Sequence, residues 1–163
     1  MQRRWRAANH RRGLVRWGGN GLEVVLLHGV RLTVTTHRQI AATIVNVPTS
    51  VLIVDDHPSF RSSAHMLLEA EGFKVIGEAP DGETALESVY ELSPDLVLLD
   101  VQLPGIDGFE VTRRLRANGN APAVILVSSR DCGDYGSLAE ESGALGFVAK
   151  AELSGAALEA LLP

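Results

Sequence analysis

The sequence predicts an α/β protein: a doubly wound, five-stranded parallel sheet with five helices, preceded by a basic N-terminal extension. Three observations predict it. Beyond Ser50, short runs that are apolar at every position alternate with stretches of helical spacing, as expected of buried parallel strands joined by crossover helices. Charge divides at the same place: residues 1–49 hold eight Arg and one acid, Glu23, a net of +7, and residues 50–163 hold seven Lys or Arg and nineteen acids, a net of −12. Texture divides too, since no Ser occurs before Ser50 and the first Lys is Lys74. The expected organisation is therefore an Arg-rich extension over 1–48 and one domain over 49–163.

Each element of the acidic part has its own warrant. Val51–Val54 is an all-apolar strand that stops at Asp55-Asp56. Pro58 opens a helix, where its missing N–H costs nothing, with Phe60, Ala64, Leu67, Leu68 and Ala70 at core spacing and Gly72 to end it. Phe73–Ala79 is the second strand, and Asp81-Gly82 turns into a helix carrying Ala85, Leu86, Val89 and Leu92. Leu96–Leu99 is another buried strand, stopping at Asp100, and Gly108–Ala117 is a helix with Phe109, Val111 and Leu115 inward. Val124–Val127 stops at Ser128-Ser129; Tyr135–Glu141 is a short helix ended by Gly143. Leu145–Ala149 is the last strand, stopping at Lys150, and Leu153–Leu162 is the last helix.

In sheets of this kind the ligand site lies outside the carboxyl ends of the strands, where the strand order reverses. The residues at those ends are Asp55 and Asp56, Asp100, Ser128 and Lys150. Any one of them has a bland explanation, because Asp and Ser at strand ends are usually turn or cap residues and a Lys before a helix is usually a solvated charge. Their joint placement at four strand ends is what carries the signal. Three carboxylates at close range repel one another, a hard divalent cation such as Mg²⁺ relieves that repulsion, and a carboxylate beside it can take up a phosphoryl group. A neighbouring ammonium would neutralise the phosphoryl oxygens, and the Ser128 hydroxyl could hydrogen-bond the product.

Residues 50–163 resemble the receiver domain of bacterial two-component response regulators, a flavodoxin-like fold. The resemblance is carried by the strand into Asp55-Asp56, by Asp100-Val101-Gln102-Leu103-Pro104-Gly105-Ile106-Asp107-Gly108, by Ser128-Ser129 and by Gly146-Phe147-Val148-Ala149-Lys150. Asp55-Asp56-His57-Pro58 is most similar to the receivers of LuxR-type regulators. The resemblance implies that Asp100 is the phosphoacceptor and that Asp55, Asp56, Asp100 and the backbone carbonyl of Gln102 hold Mg²⁺. It implies that Lys150 contacts the phosphoryl group, that Ser128 and Phe147 form the switch, and that Gln102 and Arg130 tune dephosphorylation. The implied partners are a sensor histidine kinase or phosphotransfer protein and a downstream protein target. Phosphorylation would change the face formed by the fourth helix, fifth strand and fifth helix, over about residues 135–162, with a phosphorylation-dependent homodimer as one outcome. No enzymatic turnover of a substrate is expected. Ala151 stands where many receivers have a Pro after the Lys. The chain stops at Pro163 after the last helix, so the expectation is a stand-alone receiver without a DNA-binding domain.

Residues 1–20 are Arg- and Gly-rich with Trp5 and Trp17, and Leu22–Leu27 with Val30–Thr36 could form a hairpin. A nucleic-acid or acidic-surface arm is one reading of that composition. Disorder, or translation of GC-rich sequence upstream of a true start near Val45 or Val47, is the favoured one. No apolar run approaches the ~18 residues of a membrane-spanning helix, no h-region of secretory type is present, and a single cysteine, Cys132, excludes an internal disulfide framework. A bacterial cytoplasmic setting is expected. A dehalogenase-like phosphatase would need a second acid at position 57, which is His, and a flavodoxin-like or Rossmann nucleotide-binding domain would need a Gly- or hydroxyl-rich loop in place of Asp55-Asp56-His57-Pro58. A phosphorylation-independent pseudo-receiver, an interaction module, is the remaining alternative.

Overall fold

The computed structural model describes residues 17–19, 22–27, 30–35, 43–117, 121–129, 138 and 141–163. The chain divides into two compact units, Met1–Pro48 and Thr49–Pro163. In the first, β1 (Trp17–Gly19), β2 (Leu22–Leu27), β3 (Val30–Thr35) and β4 (Thr43–Asn46) form one antiparallel sheet in that order. Leu27 pairs with Val30 and Leu22 with Thr35, so the expected hairpin is present and gains a strand on each side. Where composition predicts disorder, the described backbone is paired strand. The aliphatic and β-branched residues of β2–β4 favour extended backbone, and neighbouring strands supply its hydrogen-bond partners.

The second unit is built on β5 (Ser50–Val54), β6 (Lys74–Ala79), β7 (Leu96–Asp100), β8 (Ala123–Ser128) and β9 (Gly146–Ala149), all parallel, in the order β6-β5-β7-β8-β9. Because side chains alternate along a strand, the apolar runs feed two cores. Leu52, Val54, Val97, Leu99, Val124 and Leu126 face Ala85 of α2 (Gly82–Leu92) and Phe109, Val111 and Leu115 of α3 (Gly108–Ala117). Val51, Ile53, Leu96, Leu98, Ile125 and Val127 face Ala64 and Leu68 of α1 (Pro58–Ala70) and Leu158. Nothing but side-chain alternation is needed to explain why these runs are apolar throughout.

Local chemistry sets the helix ends. Asp81 accepts a hydrogen bond from the Thr84 amide at 2.8 Å and so caps α2. Gly72, at φ 90, supplies the left-handed residue after α1. The last helix departs from expectation. Instead of running from Leu153 to Leu162, a 3₁₀ turn covers Lys150–Glu152, Leu153 is extended, and the helix is Gly155–Glu159. Ser154 is the reason: its hydroxyl accepts from the Ala157 amide at 3.2 Å, so it caps the helix start and places Leu153 outside it. The helix expected over Tyr135–Glu141 lies largely outside the described residues, as do Arg130 and Cys132.

Candidate functional site

The strand order reverses direction at β5, whose neighbours are β6 and β7. At that reversal the chain leaves β5 through Asp55, with Asp100 ending β7 alongside and Lys150 following β9. Asp55 is fully buried and Asp100 nearly so. The Lys150 ammonium lies between them, 2.5 Å from Asp55 Oδ2 and 2.8 Å from Asp100 Oδ2, and 4.6 Å above the centre of the Phe60 ring. Two carboxylates taken out of water at the same point need such a countercharge.

The other carboxylate oxygens are held by backbone. The His57 amide donates to Asp55 Oδ1 at 2.9 Å, and the Gln102 amide donates to Asp100 Oδ1 at 3.2 Å. Arg61, one turn into α1, donates through Nη1 to the Asp55 carbonyl at 2.6 Å and through Nε to Glu78 Oε2 at 3.2 Å. Glu78 also lies 2.9 Å from His65 Nδ1. The acidic loop is thereby fixed to both α1 and β6. Gly108 opens α3 against the end of β7: its amide donates to the Val101 carbonyl at 3.0 Å, and a Cβ there would collide with the Asp100 carbonyl.

Burial raises the pKa of Asp100 above its ordinary value, with the repulsion of Asp55 adding and the hydrogen bond and charge of Lys150 and the Gln102 amide opposing. Burial alone would lower the pKa of Lys150, but its hydrogen bonds to Asp100 and Asp55 outweigh that and raise it. The ammonium therefore stays charged while the acid opposite it is under strain to protonate. A site in this condition gains from any further positive charge.

Asp55, Asp56, His57 and Asp100 each offer a ligand atom, and these atoms lie within 4.8 Å of one another. Asp55 Oδ2 is buried against the Lys150 ammonium, and carboxylate oxygen donors of this kind suit a hard cation such as Mg²⁺. The residues fit that group. Ser128, almost fully buried, ends β8 beside Asp100, and Val127 pairs with Asp100 in register. Phe147 pairs with Leu126 and packs with it in the α2–α3 core layer. By strand alternation Ser128 and Phe147 share that sheet face, on neighbouring strands.

The structure thus brings Asp55, Asp56, Asp100 and Lys150 into one cluster, with the Gln102 amide bonded to it and Ser128 at the next strand end. Arg130 lies outside the described residues. His57, Phe60, Arg61 and Gly108 also belong to the site and carry no sequence motif that announces their contacts. Only adjacency to Asp55-Asp56 points to His57, and only the helical phase of the Pro58 helix points to Arg61.

A parallel sheet in this order with an acidic cluster and a lysine at its carboxyl edge defines a receiver-type signalling domain. The family model for the response regulator receiver domain matches residues 51–161, and the chain belongs to that family, the receiver domains of two-component response regulators. Receivers work with histidine kinases as a signalling module rather than by substrate turnover. The DNA-binding response regulator MtrA of Mycolicibacterium smegmatis is 47% identical over 102 residues, which cover 61% of this chain and 43% of MtrA. The DNA-binding transcriptional activator EvgA of Escherichia coli K12 is 34% identical over 103 residues, 63% of this chain and 50% of EvgA. The chain spans about half the length of the curated relatives it matches. Among solved structures, a LuxR-family two-component response regulator from Aurantimonas sp. SI85-9A1 is 33% identical with a TM-score of 0.64, over 70% of this chain and 85% of that one. The chemotaxis response regulator CheY4 of Vibrio cholerae shares the fold, with a TM-score of 0.64 at 24% identity over 71% of this chain and 100% of that one. No helix among the described residues is long and apolar enough to cross a membrane.

Proposed function

We propose that this chain is a phosphorylation-controlled receiver in which Asp100 accepts a phosphoryl group from a phosphohistidine of a sensor histidine kinase or phosphotransfer protein, in the bacterial cytoplasm. The observation that carries this reading is the Lys150 ammonium held 2.8 Å from Asp100 Oδ2 and 2.5 Å from Asp55 Oδ2. It is the countercharge a phosphoryl group needs, fixed in place before the group arrives. One carboxylate oxygen of Asp100 forms the new O–P bond as the N–P bond of the donor breaks, and the imidazole nitrogen keeps the electron pair. Mg²⁺ held by Asp55, Asp56, Asp100 and the Gln102 carbonyl would supply charge neutralisation at the phosphoryl oxygens.

Ser128, at the neighbouring strand end, would hydrogen-bond the phosphoryl group, and Phe147 shares its sheet face. Together they would carry the change to residues 135–162, the surface offered to a downstream protein or to a second copy of the chain. Gln102 and Arg130 would flank the path of hydrolytic water.

The test is incubation of the protein with acetyl phosphate and Mg²⁺, followed by intact mass. A gain of one phosphoryl group in the wild type, absent without Mg²⁺ and absent in Asp100→Asn, is the expected result. No gain, together with no response of residues 135–162 to beryllofluoride, would assign the chain as a phosphorylation-independent interaction module instead.

A further inference from the structure

The turn Asp55-Asp56-His57 places two acids side by side, and adjacent carboxylates repel one another. Such a turn keeps one shape only if groups outside it hold the chain. The Asp55 amide donates to the Ala79 carbonyl at 3.1 Å, and the His57 carbonyl accepts from the Phe60 and Arg61 amides at 3.1 and 3.2 Å. Between those two anchors lies the Asp55 carbonyl, which is held by a side chain: Arg61 Nη1 donates to it at 2.6 Å.

Arg61 is itself braced. Its Nε donates to Glu78 Oε2 at 3.2 Å, and the other oxygen of Glu78, Oε1, lies 2.9 Å from His65 Nδ1. Arg61 and His65 stand one turn apart on α1, so a single carboxylate of β6 grips the same helix face twice. The Arg61 side chain is 16% exposed. A planar guanidinium meets two acceptors there through two of its nitrogens, which the point charge of a lysine on its flexible stem does not reproduce.

An ion pair that merely fastened α1 to β6 would need the Glu78 contact alone. The bond to the Asp55 carbonyl has a further consequence. That oxygen belongs to the Asp55-Asp56 peptide, which is planar, so holding it sets the direction in which the chain carries Asp56 away from Asp55. Asp55 is fully buried and fixed by packing, whereas Asp56 is exposed. We propose that Arg61, braced by Glu78, is a positioning residue of the phosphorylation site: it keeps Asp56 beside Asp55 against their mutual repulsion, ready to share one divalent cation. This rests on the proposed use of the acidic loop to hold Mg²⁺. Arg61 itself touches neither the cation nor the phosphoryl group; it lowers the cost of gathering the carboxylates.

Calorimetric titration of the full chain with Mg²⁺ tests it, beside the Mg²⁺ dependence of phosphorylation by acetyl phosphate. The wild type is compared with Arg61→Met, Arg61→Lys, Glu78→Gln, the double variant Arg61→Met with Glu78→Gln, and Ala64→Gly, which weakens the same helix from its buried face. Arg61→Met is expected to weaken Mg²⁺ binding about tenfold, the lower end of what losing the partner of a metal-holding residue costs. The Mg²⁺ needed for half-maximal phosphorylation should rise by the same factor. Arg61→Lys should fall between Arg61→Met and the wild type. Glu78→Gln should weaken Mg²⁺ binding too, and adding it to Arg61→Met should cause no further loss, because both act through one contact. Ala64→Gly should lower the urea midpoint and leave Mg²⁺ affinity as it is. Wild-type Mg²⁺ affinity in Arg61→Met, or an equal loss in Ala64→Gly, would overturn the inference and leave Arg61 as a fastening of α1 to β6. If Arg61→Met does not fold, Arg61→Lys and Glu78→Gln still decide, since wild-type affinity in both would overturn it as well. A wild type that neither binds Mg²⁺ nor gains a phosphoryl group would instead remove the reading on which the inference rests, so the two failures are distinguishable.

Discussion

Lys150 is the residue on which the site's electrostatics turn. Its ammonium is shared by two buried carboxylates, so Lys150→Met leaves both without a countercharge. The variant is expected to lose about 2 kcal/mol of stability in urea denaturation without divalent cations, the scale of a lost hydrogen bond to a charged group. Added Mg²⁺ should restore more stability to it than to the wild type. Phosphorylation by acetyl phosphate should fall well below the wild-type rate. Asp100 gives a pH signature of opposite kind. Its folded-state pKa is raised, chiefly by burial, so the folded protein holds a proton that the unfolded chain releases first. Stability from this group is fully present below the ordinary carboxylate value of about 3.9 and is lost as pH rises through the raised value. Asp100→Asn removes that loss. Unfolding free energies measured from acid to neutral pH should therefore fall away in the wild type relative to Asp100→Asn, and parallel curves would contradict the assignment.

At the scale of elements, the close meeting of α3 with the end of β7 depends on Gly108. A methyl group there would collide with the Asp100 carbonyl, so either the helix start or the acceptor strand must move. Gly108→Ala is expected to destabilise the protein by about 1–3 kcal/mol, as overpacking does. It should also slow phosphorylation more than an equally destabilising core change such as Val124→Ala, whose effect is confined to the sheet. Urea midpoints and the acetyl phosphate rate on the same two variants check this. Gly82 meets a similar limit, since its Cβ would lie 2.5 Å from Ile106 Cγ1 and 2.7 Å from Val111 Cγ2. Both glycines keep helices close to the loop that follows Asp100.

For the whole molecule, the division at Pro48 and Thr49 separates two units with independent backbone pairing. The parallel sheet has its own two core layers made entirely of residues after Ser50. A protein beginning at Thr49 is accordingly expected to keep a cooperative urea transition and to be phosphorylated at the same rate as the full chain. Loss of soluble, folded protein on that truncation would show that the Arg-rich unit is needed by the receiver.

The sequence by itself determined the alternation of elements, the strand ends that carry Asp55, Asp100, Ser128 and Lys150, and the family they imply. It could do so because a parallel strand buried on both faces must be apolar throughout, so any polar residue at its carboxyl end stands out. What it left undecided were contacts that join residues distant in the chain. The Arg61 bond to the Asp55 carbonyl, the Phe60 ring under Lys150 and the closeness of Gly108 to Asp100 come from how α1 and α3 dock on the sheet. The last helix was misjudged from its apolar spacing because a single hydroxyl, that of Ser154, sets where its hydrogen bonding begins. Periodicity reports which face of an element is buried. Only the packed structure decides which groups then come within hydrogen-bonding distance, because that depends on the crossing of elements whose relative placement no local pattern encodes.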